Sequence, residues 1–255
     1  FSGPRRVTEV GVGSVYLSDT APDAPLPRAS YFDVLQASRT ITLQIEAHAN
    51  RTIGDTSFLR VAGLRSVVDA DVVYEPDRRV VLIGSALAQE DHTRSLKLLA
   101  GEVGGSLEAS YRILSDAPDW TVGLRGGAYE RLNRATIPDE YRTLPRPNEG
   151  IDSLLPPSFQ NVMFTTHLAR GDFFQRARRD RVPFPRYDCE LDAGVLFGSA
   201  GGGGPAPAGS ARCGGSFRVA GGFVTAAAEY IKGVAGIAEV DNARLLLSFT
   251  QLVSR

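Results

Sequence analysis

The sequence predicts an all-β fold, an antiparallel up-and-down transmembrane β-barrel. Three observations predict it: apolar and polar residues alternate strictly in segment after segment, the segments are long, and short connections alternate with long ones. In Thr40–Asn50, Ile41, Leu43, Ile45, Ala47 and Ala49 oppose Thr40, Thr42, Gln44, Glu46, His48 and Asn50. In Glu102–Ile113, Val103, Gly105, Leu107, Ala109, Tyr111 and Ile113 oppose Glu102, Gly104, Ser106, Glu108, Ser110 and Arg112. Successive side chains of a strand point to opposite faces, so each segment reads as a strand with one apolar and one polar face. Such segments are about ten residues or longer, against about five or six for ordinary strands.

The strands follow in order as Arg6–Leu17, Thr40–Asn50, Gly63–Glu75, Arg79–Glu90, Glu102–Leu114 and Trp120–Leu132, then Ser158–Arg170, Tyr187–Gly198, Cys213–Phe223, Val224–Lys232 and Arg244–Val253. Pro76-Asp77 and the run SDAPD supply tight turns, since proline presets φ and aspartate bonds its own backbone. Asp241-Asn242 marks the last turn. Residues 133–157, 171–186 and 199–212 read as long loops, the last because Gly, Ala and Pro dominate it. Outer-membrane barrels pair short periplasmic turns with long external loops. The expected barrel has about twelve strands or more, or is a fragment of one of about sixteen. All of it falls in a single domain spanning residues 1–255.

Composition narrows the classes. Hydrophobic residues make up 43% and mean hydropathy is −0.10, as for a soluble protein, but lumen and loop residues dilute a barrel's lipid-facing ones. A net charge of −1 argues against nucleic acid as a partner. No apolar run of about eighteen residues offers a transmembrane helix. The chain opens FSGPRRV, with neither Met nor signal-peptide pattern, and is expected to be a piece of a longer protein.

Alternation alone does not say which face is outside. A soluble barrel turns its apolar faces inward, whereas a membrane barrel turns them to lipid. The polar rows mix acids with Arg, Ser, Thr and Gly and hold little Lys, which favours a wet lumen. On the lumen rows stand Glu46, Asp69, Asp71, Glu75, Glu102, Glu108, Asp188, Glu190 and Asp192, against Arg65, Arg112, Arg125, Arg131 and Arg218. The balance is acidic, and a low-dielectric wall focuses such a field on cations.

Other chemistry is sparse. His48, His92 and His167 are far apart in sequence, without metal-ligand spacing, so neither metal nor cofactor is expected. No nucleophile motif occurs, and Asp188 and Asp192 lack a Ser/His partner signal, so no enzyme activity is expected. A hairpin centred near Gly201 sets Cys189 opposite Cys213. Both a cross-strand disulfide and two unbonded small residues on an outward face fit that placement.

Three stretches carry a resemblance: LKLLAGEVGGSLEASYRILSDAPDWTVGLRGGAYERL, LPPSFQNVMFTTHLARG and SFRVAGGFVTAAAEYIKGVAGIAEVDNARLLLSFTQLV. Together they resemble the C-terminal barrel family of Pel exopolysaccharide export proteins, PelB and its relatives, over roughly Arg60 to Val253. The resemblance implies an N-terminal tetratricopeptide superhelix and a barrel in the Gram-negative outer membrane. It further implies export of a partly deacetylated, cationic polysaccharide for a biofilm matrix, with an inner-membrane synthase complex and an outer-membrane lipoprotein as partners. Two features depart from the outer-membrane pattern: the chain ends TQLVSR rather than in an aromatic residue, and aromatics are only 8%, so interfacial girdles are thin. Tyr16, Tyr74, Tyr111, Trp120, Tyr187 and Phe249 are the girdle candidates. The readings set against this are a soluble or structural barrel or sandwich for ligand binding or adhesion, and an outer-membrane hydrolase.

Overall fold

The computed structural model describes residues 5–15, 26–53, 63–93, 96–115, 117–134, 158–171, 174, 185–198, 205–219, 222–232 and 241–251. Strand follows strand: β1 (Arg5–Val15), β2 (Leu26–Gln36), β3 (Ile41–Ile53), β4 (Gly63–Tyr74), β5 (Val80–His92) and β6 (Leu98–Leu114). Then come β7 (Asp119–Arg134), β8 (Phe159–Ala169), β9 (Arg186–Gly198), β10 (Pro205–Val219), β11 (Gly222–Lys232) and β12 (Asp241–Gln251). Each pairs antiparallel with its neighbours in sequence, giving one up-and-down sheet in the order β1 to β12. Among the described residues no pairing joins β12 back to β1.

The connections sort by rim. One rim carries 37–40, 75–79, 115–118 and 220–221, all tight. Asp77 Oδ1 closes its turn by accepting the backbone N–H of Arg79 at 2.6 Å and of Val80 at 2.9 Å. Ser38 Oγ does the same for Thr40 and Ile41. The opposite rim carries the longer connections 16–25, 54–62, 135–158, 199–204 and 233–240, with 93–97 the shortest there.

Burial runs inside out. Thr42, Gln44, Glu108, Ser110, Arg112, Thr121, Thr165, His167 and Asp192 are buried, whereas Leu107 is 75% exposed, Leu124 61% and Val162 52%. Polar rows face inward and apolar rows outward, the arrangement of a membrane barrel rather than a soluble one. On β6 the outward row runs from Val103 to Ile113. At about 3.3 Å per residue and about 40° of tilt it stands about 25 Å tall, the height of a lipid-facing band. Inward apolar clusters are small, such as Met163, Leu196 and Ala208 with Phe159.

Several sequence expectations need correcting. β2 was not anticipated: Phe32 and Val34 point inward and Tyr31 and Leu35 outward, so both faces are apolar and no two-residue period survives. The expected loop 199–212 is strand from Pro205 onward. Ala206, Ala208 and Ser210 pack as a small inner row, and Pro205 and Pro207 pair with β9 ahead of the first β11 partner, Gly209, so their missing N–H costs no bond on that side. Asp241 and Asn242 are not a turn but the first pairs of β12, opposite Lys232 and Ile231. β10 ends at Val219 rather than Phe223, and β11 begins at Gly222. The 171–186 connection is long yet sits on the tight-turn rim, which breaks the expected alternation of short and long. Tyr16 lies outside the described residues, as does 135–157 of the expected long loop.

Candidate functional site

The inner face is where charge collects. The two-residue period of β3 to β9 puts all nine expected acids on it: Glu46, Asp69, Asp71, Glu75, Glu102, Glu108, Asp188, Glu190 and Asp192. Arg65, Arg112, Arg125 and Arg131 share that face. Arg218 has the same parity on β10 but is exposed near the strand's end. Asp91 and Asp119 also point inward and were missed, because β5 extends past Glu90 and β7 begins before Trp120.

Three arginines gather most of these acids. Arg65 Nε meets Asp91 at 2.7 Å, directly across the β4–β5 pair. Arg112 bridges Glu75 at 3.2 Å and Asp119 at 2.8 Å near the tight-turn rim. Arg125 reaches Glu190 at 3.2 Å, Glu108 at 3.8 Å and also Asp192, knitting β6, β7 and β9 together. Ser210 donates to Asp192 at 3.0 Å. Glu108 in turn accepts from Ser110 at 2.6 Å and lies 2.9 Å from His167 Nε2. This side of the sheet is therefore an arginine-cross-linked wall on which acids still outnumber arginines.

The β3–β4 side differs. Glu46 stands opposite Asp69, and Asp71 follows two residues on. Asp71 accepts from Ser85 at 2.6 Å, and Glu46 lies 2.6 Å from His48. Among the described residues no arginine pairs with Asp69 or Asp71. Asp69 and Asp71 thus lack the arginine bridges that tie the acids of β6, β7 and β9 together. The sequence shows the acid excess but not this split, which depends on which strands become neighbours.

Aromatic residues cover part of the inner surface. The Tyr129 ring lies over Gly104, its cross-strand partner, where any Cβ would collide with it, and it stacks on Phe159 at 4.8 Å. Phe174 from the β8–β9 connection also lies inside, edge-on to His167 at 4.9 Å. Outside, Tyr74, Tyr111, Trp120 and Phe217 are exposed near the tight-turn rim, a partial aromatic row. Trp120 Nε1 donates to Thr166 Oγ1 at 3.0 Å and Arg79 to Tyr111 Oη at 2.8 Å. Tyr187 shares the outward parity, while the side chain of Phe249 is outside the described set. Charged groups break the outward apolar pattern at a few places, among them Asp33, which accepts from Arg6 at 2.8 Å and Thr8 at 2.9 Å. Cys189 and Cys213 are cross-strand partners on the outward parity of β9 and β10, joined as a disulfide.

A long-stranded up-and-down sheet with an apolar exterior and a charged interior defines the class of outer-membrane-type β-barrels. The profile of the family described as PelB, C-terminal beta barrel domain, matches residues 33–204. The chain belongs to that family, an export rather than an enzyme class, related to exopolysaccharide secretion. No curated protein and no solved structure matches the chain.

Proposed function

We propose that this chain is the pore domain through which a cationic exopolysaccharide leaves the Gram-negative cell, as part of biofilm-matrix secretion. The observation that carries the proposal is the excess of acids over arginines on the inner face, where Asp69 and Asp71 stand beside Glu46 and the acids bridged by arginine outnumber the arginines that bridge them. Fixed carboxylates on a low-dielectric wall lower the barrier for protonated amines and raise it for anions. No covalent step is involved: the residues provide a charged track, and a polymer with many weak contacts slides without being trapped. The arginine-paired acids Glu108, Glu190, Asp192, Glu75 and Asp119 keep the strands in register and, at five acids to two arginines, add to the same negative field. In this reading an upstream tetratricopeptide scaffold, an outer-membrane lipoprotein and the inner-membrane synthase deliver the polymer to the barrel.

The test is ion selectivity in planar bilayers. The triple variant Glu46→Gln, Asp69→Asn, Asp71→Asn is expected to lose most of the parent's cation preference and to resist block by a glucosamine oligomer. Asp192→Asn is expected to change selectivity far less. Equal selectivity of the triple variant and the parent would show that these acids do not face the path.

A further inference from the structure

The two ends of the outward face differ in charge. Towards the long-connection rim the outward rows of β5 and β7 carry Glu90 and Glu130, both exposed and paired across strands with Gly101 and Val103. Towards the tight-turn rim the outward rows of β4 and β6 carry Tyr74 and Tyr111, 42% and 45% exposed. Three exposed arginines stand just beyond these tyrosines: Arg39 in the turn 37–40, and Arg78 and Arg79 in the turn 75–79.

The two turns are neighbours on that rim. The Glu75 N–H donates to the Thr40 carbonyl at 2.8 Å, which ties one turn to the other. The Arg112 N–H donates to the Arg79 carbonyl at 2.6 Å, which ties the second turn to β6. Arg39 lies just before Ile41, the cross-strand partner of Tyr74. Arg79 Nη1 donates to Tyr111 Oη at 2.8 Å, so this guanidinium is held on the outward side of the sheet. The carboxylates nearby are engaged elsewhere: Asp77 Oδ1 accepts two backbone N–H groups of its own turn, and Glu75 is buried against Arg112. Three guanidinium charges therefore stand against the one exposed carboxylate of these two turns, Asp77.

Tyr111 and Ile113 are the last outward members of the β6 row, whose height is that of a lipid-facing band, so lipid headgroups begin at their level. Tyrosine favours that level, and a guanidinium fork matches the oxygens of a phosphate. We propose that Arg39, Arg78 and Arg79, with Tyr74 and Tyr111 beside them, bind the headgroup of an anionic phospholipid in the leaflet at the tight-turn rim. A lipid fits better than an acidic protein docking from beyond the rim, because Tyr111 holds Arg79 on the lipid side. Glu90 and Glu130 offer the opposite leaflet no such attraction. The site needs the membrane-spanning sheet and does not depend on what the pore carries.

The single tryptophan reports on it. Trp120 is outward on β7, close to Val122, the cross-strand partner of Tyr111. The chain is refolded into phosphatidylcholine vesicles in which either brominated phosphatidylcholine or brominated phosphatidylglycerol quenches Trp120. Phosphatidylglycerol is expected to occupy the site severalfold more tightly, since each arginine near an anionic surface is worth about fivefold. Added potassium chloride should shrink that preference by screening. Arg39→Gln with Arg78→Gln and Arg79→Gln is expected to abolish the preference, and Glu90→Gln with Glu130→Gln to leave it as it was. Equal quenching by the two lipids in the parent would overturn the lipid site and favour an acidic protein at these arginines. A folded triple variant that keeps the parent's preference would overturn the assignment to these residues. The salt series needs no variant: a preference unmoved by potassium chloride would overturn an arginine–phosphate contact on the parent alone.

Discussion

Leu107 offers a direct measure of what the outward face touches. It sits mid-row on β6 and is 75% exposed. Leu107→Ala removes three carbons, each worth about 0.8 kcal/mol on transfer from water to an apolar phase. Scaled by the 75% exposed, the lipid contact is worth about 1.8 kcal/mol. If lipid covers the site, the variant unfolds from vesicles about 1.8 kcal/mol more easily, and Leu107→Arg costs about 2–4 kcal/mol near the bilayer midplane. If water covers it, both changes fall within about 0.5 kcal/mol, as exposed substitutions do. Leu99, 0% exposed, is the control: Leu99→Ala costs about 2–5 kcal/mol in either case. Reversible urea unfolding in vesicles reads all three, and the single tryptophan, Trp120, supplies an intrinsic fluorescence signal. Near-zero values at Leu107 beside a normal cost at Leu99 would refute the lipid-facing assignment.

Two further outcomes follow from local geometry. Two backbone N–H donors hold the Asp77 carboxyl below the usual carboxylate range. Its contribution is therefore complete above the unfolded-state pKa and drains away as pH falls through the lowered folded-state value, so Asp77→Ala should flatten that acid limb, and carboxyl NMR titration should find Asp77 ionised where other exposed aspartates are not. The Cys189–Cys213 bond closes a separation of 24 residues, for which loop-closure entropy gives about 3 kcal/mol. Reduction should add about two mass units and Cys189→Ser with Cys213→Ser should lower the urea midpoint, whereas an unchanged mass would remove the bond from the account.

The sequence was most readable where one face is wet and the other apolar. β3 and β6 keep a clean period of two, so their faces, and with them the inward acids Glu46, Glu102 and Glu108, follow from counting. β2 escaped because residues on both its faces are apolar, and β10 because its small inner residues imitate a linker. The division into acids bridged by arginine and acids without such a bridge needs the neighbour of each strand, which alternation does not encode. Arg125 illustrates it: its partners Glu190 and Asp192 lie two strands away, past β8. Phe174 was hidden for another reason. Its loop reads as polar and basic, and the side chains it meets, Val73, Val81 and Ile83, lie on distant strands.

The up-and-down order has a topological consequence. With an even number of passes, β1 begins and β12 ends at the same rim, and that rim is the one with the tight turns. Any segment continuous with either end therefore emerges on one side of the membrane, beside the mouth that Phe174 approaches. A scaffold fused to β1 and a tail continuing from β12 would share a compartment and could meet, while the opposite rim joins the described strands by hairpin connections.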